Sequence, residues 1–348
     1  MYDFITIGSA TIDAFIDTNT ATVVSVATVT DSREFMAYPY GAKIEIDDFK
    51  NATGGGAVNT ATNFANLGFK TSAIIKIGKE LQGKSVINTL EQFGVSTSDV
   101  IVSQTEQTGF SVILTSFQGD RTVLAHRGPN ATITANEINF DAIKNSKWLY
   151  IAPLNGDSTK ILDEIAKFAE KNDVNMAINL GTSSIKQGAD YLNNIIKTAE
   201  VVILNKDEAT MLTGIKVRPD TKDVKYSAAP LHEDIKTMLN KLKSTNARIV
   251  IITDGKNGAY AYDGSNYYIA PEFPAKVMST LGAGDAFSST FVASLEKTGW
   301  DIEKSLMYAS VNAAATVEKF GAQEGFLKFD NIQEKLKTTP EYKIIMLK

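Results

Sequence analysis

Short apolar runs rich in β-branched residues alternate with longer amphipathic stretches, and this alternation constrains the fold more than any other sequence feature. Six runs have the length and composition of buried strands, namely 2–7, 72–77, 148–151, 174–178, 201–204 and 249–253. Seven stretches carry apolar residues at the three- and four-residue spacing of helices, namely about 57–67, 80–93, 159–172, 186–198, 232–243, 285–297 and 301–319. The pattern predicts an α/β protein with a mostly parallel sheet covered by helices on both faces.

Two segments, about 14–53 and 108–127, break this alternation. Both lack a helical period and are rich in residues that favour exposed antiparallel strands. The second segment is typical of two strands joined by a turn at 118–120. We predict that the two segments form a small sheet lying over the α/β body. The sequence has no internal repeat or flexible linker that would mark a boundary, so we predict a single domain, 1–348, with these segments inserted.

Composition limits the classes of function. The 348 residues are 43% apolar and carry 35 Lys and Arg against 40 Asp and Glu, a net charge of -5. The sequence has no dense basic run that would bind a nucleic-acid backbone. It has no cysteine, which excludes disulfides, thiol nucleophiles and Cys-based zinc sites. The start MYDFITIG lacks a basic region and a long apolar core. We expect a soluble cytoplasmic protein without membrane or nucleic-acid partners.

The stretch Ser279-Thr280-Leu281-Gly282-Ala283-Gly284-Asp285 precedes an apolar helical pattern. Small residues at 282–284 allow a tight turn into the helix, where unpaired N–H groups and the helix dipole attract an anion. We interpret Gly282, Ala283 and Gly284 as an anion hole for a phosphate whose charge grows during transfer. Asp285, in the first turn, could accept a proton from an acceptor hydroxyl. The structural alternative is a glycine-rich loop with Asp285 as a helix cap.

A second glycine-rich stretch, 54–56, opens the predicted helix that carries Asn59. Glycines there let a ligand approach the backbone, and the Asn59 amide offers both a donor and an acceptor to hydroxyl groups. Asp13 follows the first strand, at the edge of a parallel sheet where ligand clefts lie, and could bind paired hydroxyls. A glycine run by itself is also typical of a flexible joint.

Two further strand ends carry polar residues. Asn205 and Glu208 lie three residues apart at a helix start and could hold the water shell of Mg²⁺ and a phosphate oxygen. The alternative is an ordinary cap followed by an acid in the first turn. Thr253, Gly255 and Gly258 follow another strand and could line a flat ligand such as a purine, or form a plain turn.

Absent motifs narrow the class of enzyme. The sequence contains no GxxxxGK[ST] loop, no HExxH and no GxSxG. The segment after the first strand, Gly8-Ser9-Ala10, is not the glycine fingerprint of a dinucleotide-dependent oxidoreductase. His126 and His232 are the only histidines, which are too few for a histidine metal cluster.

The motifs together resemble the PfkB-type carbohydrate kinases of the ribokinase superfamily. The spacing of Gly55, Ala57, Asn59, Ala61, Gly68 and Gly78 is similar to the family's N-terminal signature, and STLGAGDAF is similar to its C-terminal one. Intermediate marks also occur in order, among them Thr108-Gly109, Asn205 with Glu208, and Phe320-Gly321-Ala322. The resemblance covers roughly residues 2–325.

The resemblance implies a ribokinase-like three-layer α/β/α fold with a small β-sheet lid, and an ATP- and Mg²⁺-dependent transfer to a hydroxyl of a small sugar. The implied catalytic residues are Asp285 as general base and Gly282, Ala283 and Gly284 as anion hole. The implied substrate-binding residues are Asp13, Gly55, Gly56 and Asn59, and we add Phe110, an aromatic residue near the lid, as a further substrate-binding candidate. The implied nucleotide-binding residues are Asn205, Glu208, Thr253, Gly255, Gly258 and Asn312, with Glu208 holding Mg²⁺ through water.

The chain departs from the family at two places. Ser279 and Leu281 stand where the family has Asp and Thr, and because that Asp often helps to bind a monovalent cation, the departure argues against a need for K⁺. Ser289-Thr290 stand where the family commonly has a small residue and glycine.

Two alternative functions remain. One is a nucleoside kinase with an aromatic slot near the lid, and the other is a non-catalytic sugar or nucleotide sensor. A homodimer formed through the lid is a further hypothesis. The alternative to a lid is a peripheral β-hairpin that has no gating role.

Overall fold

The computed structural model describes residues 1–17, 21–27, 32–115, 121–218, 231–245 and 247–348. The strands of the large sheet are β1 (Tyr2–Ile7), β6 (Thr71–Ile74), β11 (Ser146–Ile151), β12 (Asn175–Asn179), β13 (Val201–Asn205), β14 (Ile249–Thr253), β15 (Ala259–Tyr262), β16 (Tyr267–Ala270) and β17 (Ile345–Leu347). The strands outside it are β2 (Thr11–Asp17), β3 (Thr22–Ala27), β4 (Ser32–Ala37), β5 (Asp48–Gly54), β7 (Lys76–Gly78), β8 (Ile101–Ser103), β9 (Gly109–Thr115) and β10 (Arg121–His126).

The helices cover both faces of this sheet. They are α1 (Gly56–Asn66), α2 (Leu81–Gln92), α3 (Phe140–Lys144), α4 (Leu162–Lys171), α5 (Thr182–Ile185), α6 (Ala189–Ile196), α7 (Lys206–Thr213), α8 (Glu233–Lys243), α9 (Ala283–Thr298), α10 (Ile302–Val317) and α11 (Phe329–Thr338). In the described part of the chain, none of them is long and apolar enough to cross a membrane.

The large sheet has the strand order β17-β16-β15-β14-β13-β12-β11-β1-β6. The strands from β14 to β6 run parallel, whereas β15, β16 and β17 extend the sheet in antiparallel fashion. Because the carboxyl ends of parallel strands share one edge, the loops after β1, β13 and β14 meet on the same side of the sheet.

Alternating side chains of the parallel strands divide the core into two layers. Phe4 and Trp148 pack with α1, α9 and α10 on one face, whereas Ile5 and Leu149 pack with α4, α6 and α8 on the other. These two apolar layers explain why the strands are apolar on both faces. The predicted α/β/α arrangement is confirmed.

The predicted small sheet is also confirmed. Strands β10, β9, β2 and β5 form a four-stranded sheet separate from the large one, and β3 pairs with β4. The predicted turn at 118–120 lies outside the described residues. The sheet begins at Thr11, earlier than the predicted boundary at 14, so β2 follows the large-sheet strand β1 almost directly.

Two predicted elements differ in extent from the observed ones. The strand predicted at 72–77 leaves the large sheet after Ile74, because β7 pairs with β8 instead. The helix predicted at 186–198 is observed only as α6, which begins after Gly188, because this glycine has φ of +101°, which no helix accommodates. Helix α11 and the antiparallel edge β15 to β17 were not predicted.

Candidate active site

The first turn of α9 presents backbone donors. Gly282 is its N-cap, with φ of +77°, and a Cβ atom there would collide with the carbonyl oxygen of Ala322. Among the described residues, no side chain caps this helix, and the first N–H groups of a helix have no partner within it. The turn through Ala283 and Gly284 therefore offers N–H groups and the positive end of the helix dipole to an anion.

Asp285 lies in the same turn, and its carboxylate faces α1. The Asn59 side chain, 4% exposed, donates a hydrogen bond from Nδ2 to Asp285 Oδ2 at 2.8 Å. Burial raises the pKa of Asp285 to about 6, the Asn59 hydrogen bond opposes this rise, and the charge of Asp13 adds to it. A carboxylate with this pKa can accept a proton near neutral pH.

The glycine stretch before α1 leaves room for Asp13. A Cβ atom at Gly54 would overlap the Asp13 carboxylate, and one at Gly55, with φ of +97°, would lie 2.5 Å from the Ser9 carbonyl oxygen. Gly56 lies beside Asp285, since its Cβ would be 3.7 Å from Asp285 Oδ1. The buried Asp13 accepts a hydrogen bond from Thr11 Oγ1 at 3.2 Å, and burial raises its pKa. The structure thus brings the predicted acceptor residues together.

Phe110 does not join this group. Phe110 pairs with Ile12 in the parallel register of β9 and β2, and neighbouring residues of a strand face opposite sides. The ring therefore lies on the face opposite to Asp13, where it lines a cavity of about 510 Å³ with Ile12, Leu81 and Gln323. The structure therefore does not bring Phe110, predicted as a substrate-binding residue, to the face of the small sheet that carries Asp13, because strand register decides which face a side chain occupies.

A second cavity, of about 370 Å³, lies on the other side of the α9 terminus. Its walls include Ala283 and Gly284, so the same helix turn borders this cavity and the Asp13–Asn59–Asp285 group. Its apolar lining was not predicted and includes Phe273, Ala275, Val277, Phe287, Ala313, Ala314 and Val317. A flat apolar group such as a purine would bury its faces in such a cavity.

The predicted residues Thr253, Gly255 and Gly258 line this same cavity. Gly258 has φ of +82° and no room for a Cβ atom, which would collide with the Ala270 carbonyl oxygen. The turn after β14 can therefore approach the cavity closely only because it carries glycine at this position.

Asn205 and Glu208 form a capping box at the start of α7. Glu208 Oε2 accepts a hydrogen bond from Asn205 N at 2.9 Å, and Asn205 Oδ1 accepts one from Glu208 N at 2.8 Å. Burial raises the pKa of Glu208 to about 6. The pair lies at the end of β13, beside the Thr253 end of β14. One oxygen of Glu208 is engaged in the cap, which leaves Oε1 as the atom that could face a metal-bound water.

Asn312 is not brought to the cavity. Its side chain is fully buried, Nδ2 donates to Asn63 Oδ1 and Thr290 Oγ1 at 3.0 and 2.7 Å, and Oδ1 accepts from Leu327 N at 2.8 Å. Both halves of the amide are used within the protein. The prediction of a nucleotide contact is therefore replaced by a structural role between α1, α9 and α10.

The unusual pair Ser289-Thr290 belongs to the same buried cluster. Asn63 Nδ2 donates to Ser289 Oγ at 2.7 Å and to Thr290 Oγ1 at 2.9 Å. Ser289 Oγ in turn donates to the carbonyl oxygen of Asp285. Both hydroxyls thus have a buried polar partner, Asn63, on α1. The cluster ties the helix that carries Asn59 to the helix that carries Asp285.

We expect Asn63→Ala to lower the free energy of unfolding by roughly 2–4 kcal/mol, since three buried side-chain hydrogen bonds of Asn63, to Ser289, Thr290 and Asn312, are lost at a net cost of about 0.5–1.5 kcal/mol each. Urea unfolding measures this change. Asn66→Ala is the matched control on the same helix, because Asn66 Nδ2 is buried without a hydrogen-bond partner in the described part of the chain. Equal losses in the two variants would contradict the cluster's role.

The fold places the protein among known structures. It superposes on Arabidopsis thaliana ribokinase complexed with ribose and ATP with a TM-score of 0.76 at 20% identity, covering 97% of this chain and 99% of that one. A protein assigned as ribokinase II from E. coli, complexed with ATP and Mg²⁺, gives a TM-score of 0.74 at 16% identity, with 97% and 100% covered. The fold is the ribokinase fold.

The family follows from the sequence profile described as pfkB family carbohydrate kinase, which matches residues 20–328. The chain belongs to the pfkB family of carbohydrate kinases. The predicted family and the predicted enzyme class, an ATP-dependent carbohydrate kinase, are confirmed.

Two curated relatives are similar along most of this chain. A bifunctional ribokinase/ribose-5-phosphate isomerase A of Fructilactobacillus sanfranciscensis is 27% identical over 286 residues, which are 81% of this chain and 49% of the relative. The chain thus spans about half the length of that bifunctional relative. A 5-dehydro-2-deoxygluconokinase of Clostridium botulinum is 27% identical over 306 residues, or 84% of this chain and 86% of the relative.

Proposed function

We propose that this protein transfers the γ-phosphoryl group of ATP to a hydroxyl of a small sugar, with Asp285 as general base and the turn 282–284 as anion hole. The observation that carries the proposal is the position of the α9 terminus. Asp285 faces Asn59 and Asp13, whereas Ala283 and Gly284 border the apolar cavity. A phosphoryl group that moves from the cavity towards Asp285 would pass the positive end of the helix dipole.

The acceptor would lie between the two sheets. Asp13 and Asp285 can accept hydrogen bonds from sugar hydroxyls, and the backbone at Gly55 and Gly56 allows close approach. Because Asp13 lies on β2 of the small sheet, we propose that this sheet is a lid that excludes water from the transfer site. The lid and the α/β body would then work as one kinase domain.

In the proposed step, the acceptor oxygen forms a bond to the γ-phosphorus while the bond from that phosphorus to the bridging oxygen of ADP breaks. The hydroxyl proton passes to the Asp285 carboxylate. The N–H groups at 282–284 stabilise the charge that grows on the transferred oxygens. Catalysis then depends on position and charge, without a covalent enzyme intermediate.

The apolar cavity would hold the adenine, and Thr253, Gly255 and Gly258 would border the nucleotide. Bound Mg²⁺ neutralises phosphate charge and usually keeps several waters. We place Glu208 Oε1 in contact with such a water and not with the ion itself. Among the described residues, no group of three or more His, Asp or Glu side chains is arranged to hold the ion directly. The E. coli neighbour is complexed with ATP and Mg²⁺, which supports ATP with Mg²⁺ as the phosphoryl donor of this protein. Ser279 supports turnover without K⁺.

Coupled measurement of ADP release from MgATP tests the proposal. The acceptor panel contains neutral sugars, sugar acids, sugar phosphates and nucleosides, because the relatives include kinases named for ribose and for 5-dehydro-2-deoxygluconate. We expect turnover with one class of sugar. Turnover with nucleosides alone would support the nucleoside kinase instead, and ligand-induced thermal stabilisation without any turnover would support a sensor.

The small sheets expose apolar side chains that we propose to lie in a homodimer interface. Val26, Phe35 and Leu124 are 50%, 51% and 58% exposed, more apolar surface than strands facing water usually show. We expect sedimentation at the mass of a dimer, and of a monomer for the Phe35→Asp/Leu124→Asp variant. Met211→Asp, at a 48% exposed position on α7, is the control. A monomeric parent protein would end this proposal.

A further inference from the structure

A chain of side-chain hydrogen bonds leads from the small sheet to Asp285. Gln323 is buried, with 6% of its surface exposed, and its Nε2 donates to Asn59 Oδ1 at 2.9 Å and to the Thr53 carbonyl oxygen at 3.2 Å. Asn59 Nδ2 then donates to Asp285 Oδ2 at 2.8 Å. Both ends of the Asn59 amide are therefore engaged.

This chain fixes which way the Asn59 amide points. Rotating the amide by half a turn would place its NH₂ group against the Gln323 NH₂ group and its oxygen against the Asp285 carboxylate. Two donors would then face each other, and two acceptors likewise, so neither hydrogen bond could form. Without the Gln323 donor, only the bond to Asp285 would favour the orientation seen.

The backbone around Gln323 connects three parts of the site. Ala322 packs against Gly282, so this segment supports the α9 turn. Thr53 belongs to β5, which pairs with the β2 strand that carries Asp13. A displacement of β5 would therefore move a hydrogen-bond partner of Gln323 directly.

We propose that Gln323 is a positioning residue that holds the Asn59 amide towards Asp285 and links the position of lid strand β5 to this carboxylate. The inference rests on the proposed function, in which Asp285 is the base. Gln323 acts on Asp285 through Asn59. Its effect is to keep the base oriented and ionised when β5 is in place.

The titratable groups around Asp285 make this role measurable. Asp13 faces it from β2, and Tyr150, on β11, hydrogen-bonds Ser288 one turn along α9. From α1, the neutral Asn59 amide is the partner that lowers the pKa of Asp285. Because a hydrogen bond donated to a carboxylate favours its charged form, loss of the Asn59 orientation raises the pKa of Asp285. The acid limb of kcat then moves to higher pH.

The test compares Gln323→Met and Gln323→Glu with the parent enzyme. Methionine keeps the length without hydrogen bonds, and glutamate keeps the shape but presents acceptors to the Asn59 oxygen. We expect both variants to lose roughly tenfold in kcat and to shift the acid limb upwards, with KM for ATP unchanged. Gln333→Met, which removes a hydrogen bond to the Tyr308 hydroxyl between α11 and α10, should retain the parental profile.

A parental kcat and pH profile in both Gln323 variants would overturn the inference. Thermal unfolding identifies a variant that fails to fold, in which case the other substitution decides. The Asp285→Asn variant distinguishes a failure of the Gln323 inference from a failure of the proposed function. If Asp285→Asn is inactive and the Gln323 variants are parental, this inference alone fails, whereas an active Asp285→Asn overturns the proposed function.

Discussion

Replacing Asp285 with asparagine should lower kcat by roughly two to four orders of magnitude, the usual contribution of a positioned general base. The amide has nearly the carboxylate's shape but cannot accept the hydroxyl proton. Because Asp285 takes little part in ground-state binding of the nucleotide, KM for ATP should change little. Steady-state kinetics on the best acceptor of the panel, with ATP varied, measures both quantities.

Asp301→Asn is the matched control. Asp301 caps α10 by accepting a hydrogen bond from Lys304 N, and asparagine caps helices about as well as aspartate. This variant should retain parental kinetics. An Asp285→Asn enzyme with near-parental kcat would remove the base from the mechanism. A parent protein that binds ligands without turnover would favour the sensor hypothesis.

The pH dependence of kcat bears on the same residue. Because burial raises the pKa of Asp285 to about 6, the carboxylate is protonated below that pH and cannot act as base. The rate should therefore rise with pH through about 6 and level off above it. A flat profile from pH 5 to 8 would contradict ionised Asp285 as the base.

Gly282→Ala should lower kcat by about 10²–10³-fold, the cost of losing one donor to a developing negative charge. The added methyl group would collide with the Ala322 carbonyl oxygen, so the first turn of α9 must shift. A shifted turn moves its N–H groups away from the transferred phosphoryl group. Kinetics beside a thermal unfolding curve separates this local effect from a loss of the fold.

Gly299→Ala provides the comparison within the same helix. Gly299 ends α9 with φ of +68°, but a Cβ atom there meets nothing within 4 Å in the described part of the chain. The backbone strain of a left-handed alanine, about 1–2 kcal/mol, applies to both variants, and only Gly282→Ala adds the collision. Equal kcat values for the two variants would contradict an anion site at the α9 terminus.

Much of the fold could be predicted from local patterns. The strands of the parallel sheet are apolar on both faces because helices cover both, and most predicted helices lie within a few residues of the observed ones. The antiparallel edge β15 to β17 was missed, because β15 and β16 are short and are joined by a turn without the intervening helix that marks the parallel strands. The strand predicted at 72–77 was wrong in extent, because its second half pairs with a distant segment.

The residues of the candidate site were likewise only partly predictable from the sequence. Asp13, Gly55, Asn59 and Asp285 were predicted from their positions at strand and helix ends and from the family resemblance, and the structure brings them together. Phe110 and Asn312 were misplaced because strand register and helix packing, not spacing, determine where a side chain points. Gln323 follows the recognised Phe320-Gly321-Ala322 stretch directly, but nothing in the sequence indicates that its amide faces Asn59.

The sequence by itself determined the α/β class and the two glycine-rich helix starts, because these depend on short-range periodicity and on glycines at turns that no other residue fits. It indicated the family through a series of ordered motifs that resemble those of the PfkB-type kinases. The tertiary structure alone decided which polar side chains share a site. Asn59 and Asp285 are 226 positions apart along the chain. Their hydrogen bond exists because α1 and α9 pack on the same face of the sheet, and packing over that separation leaves no local pattern in the sequence.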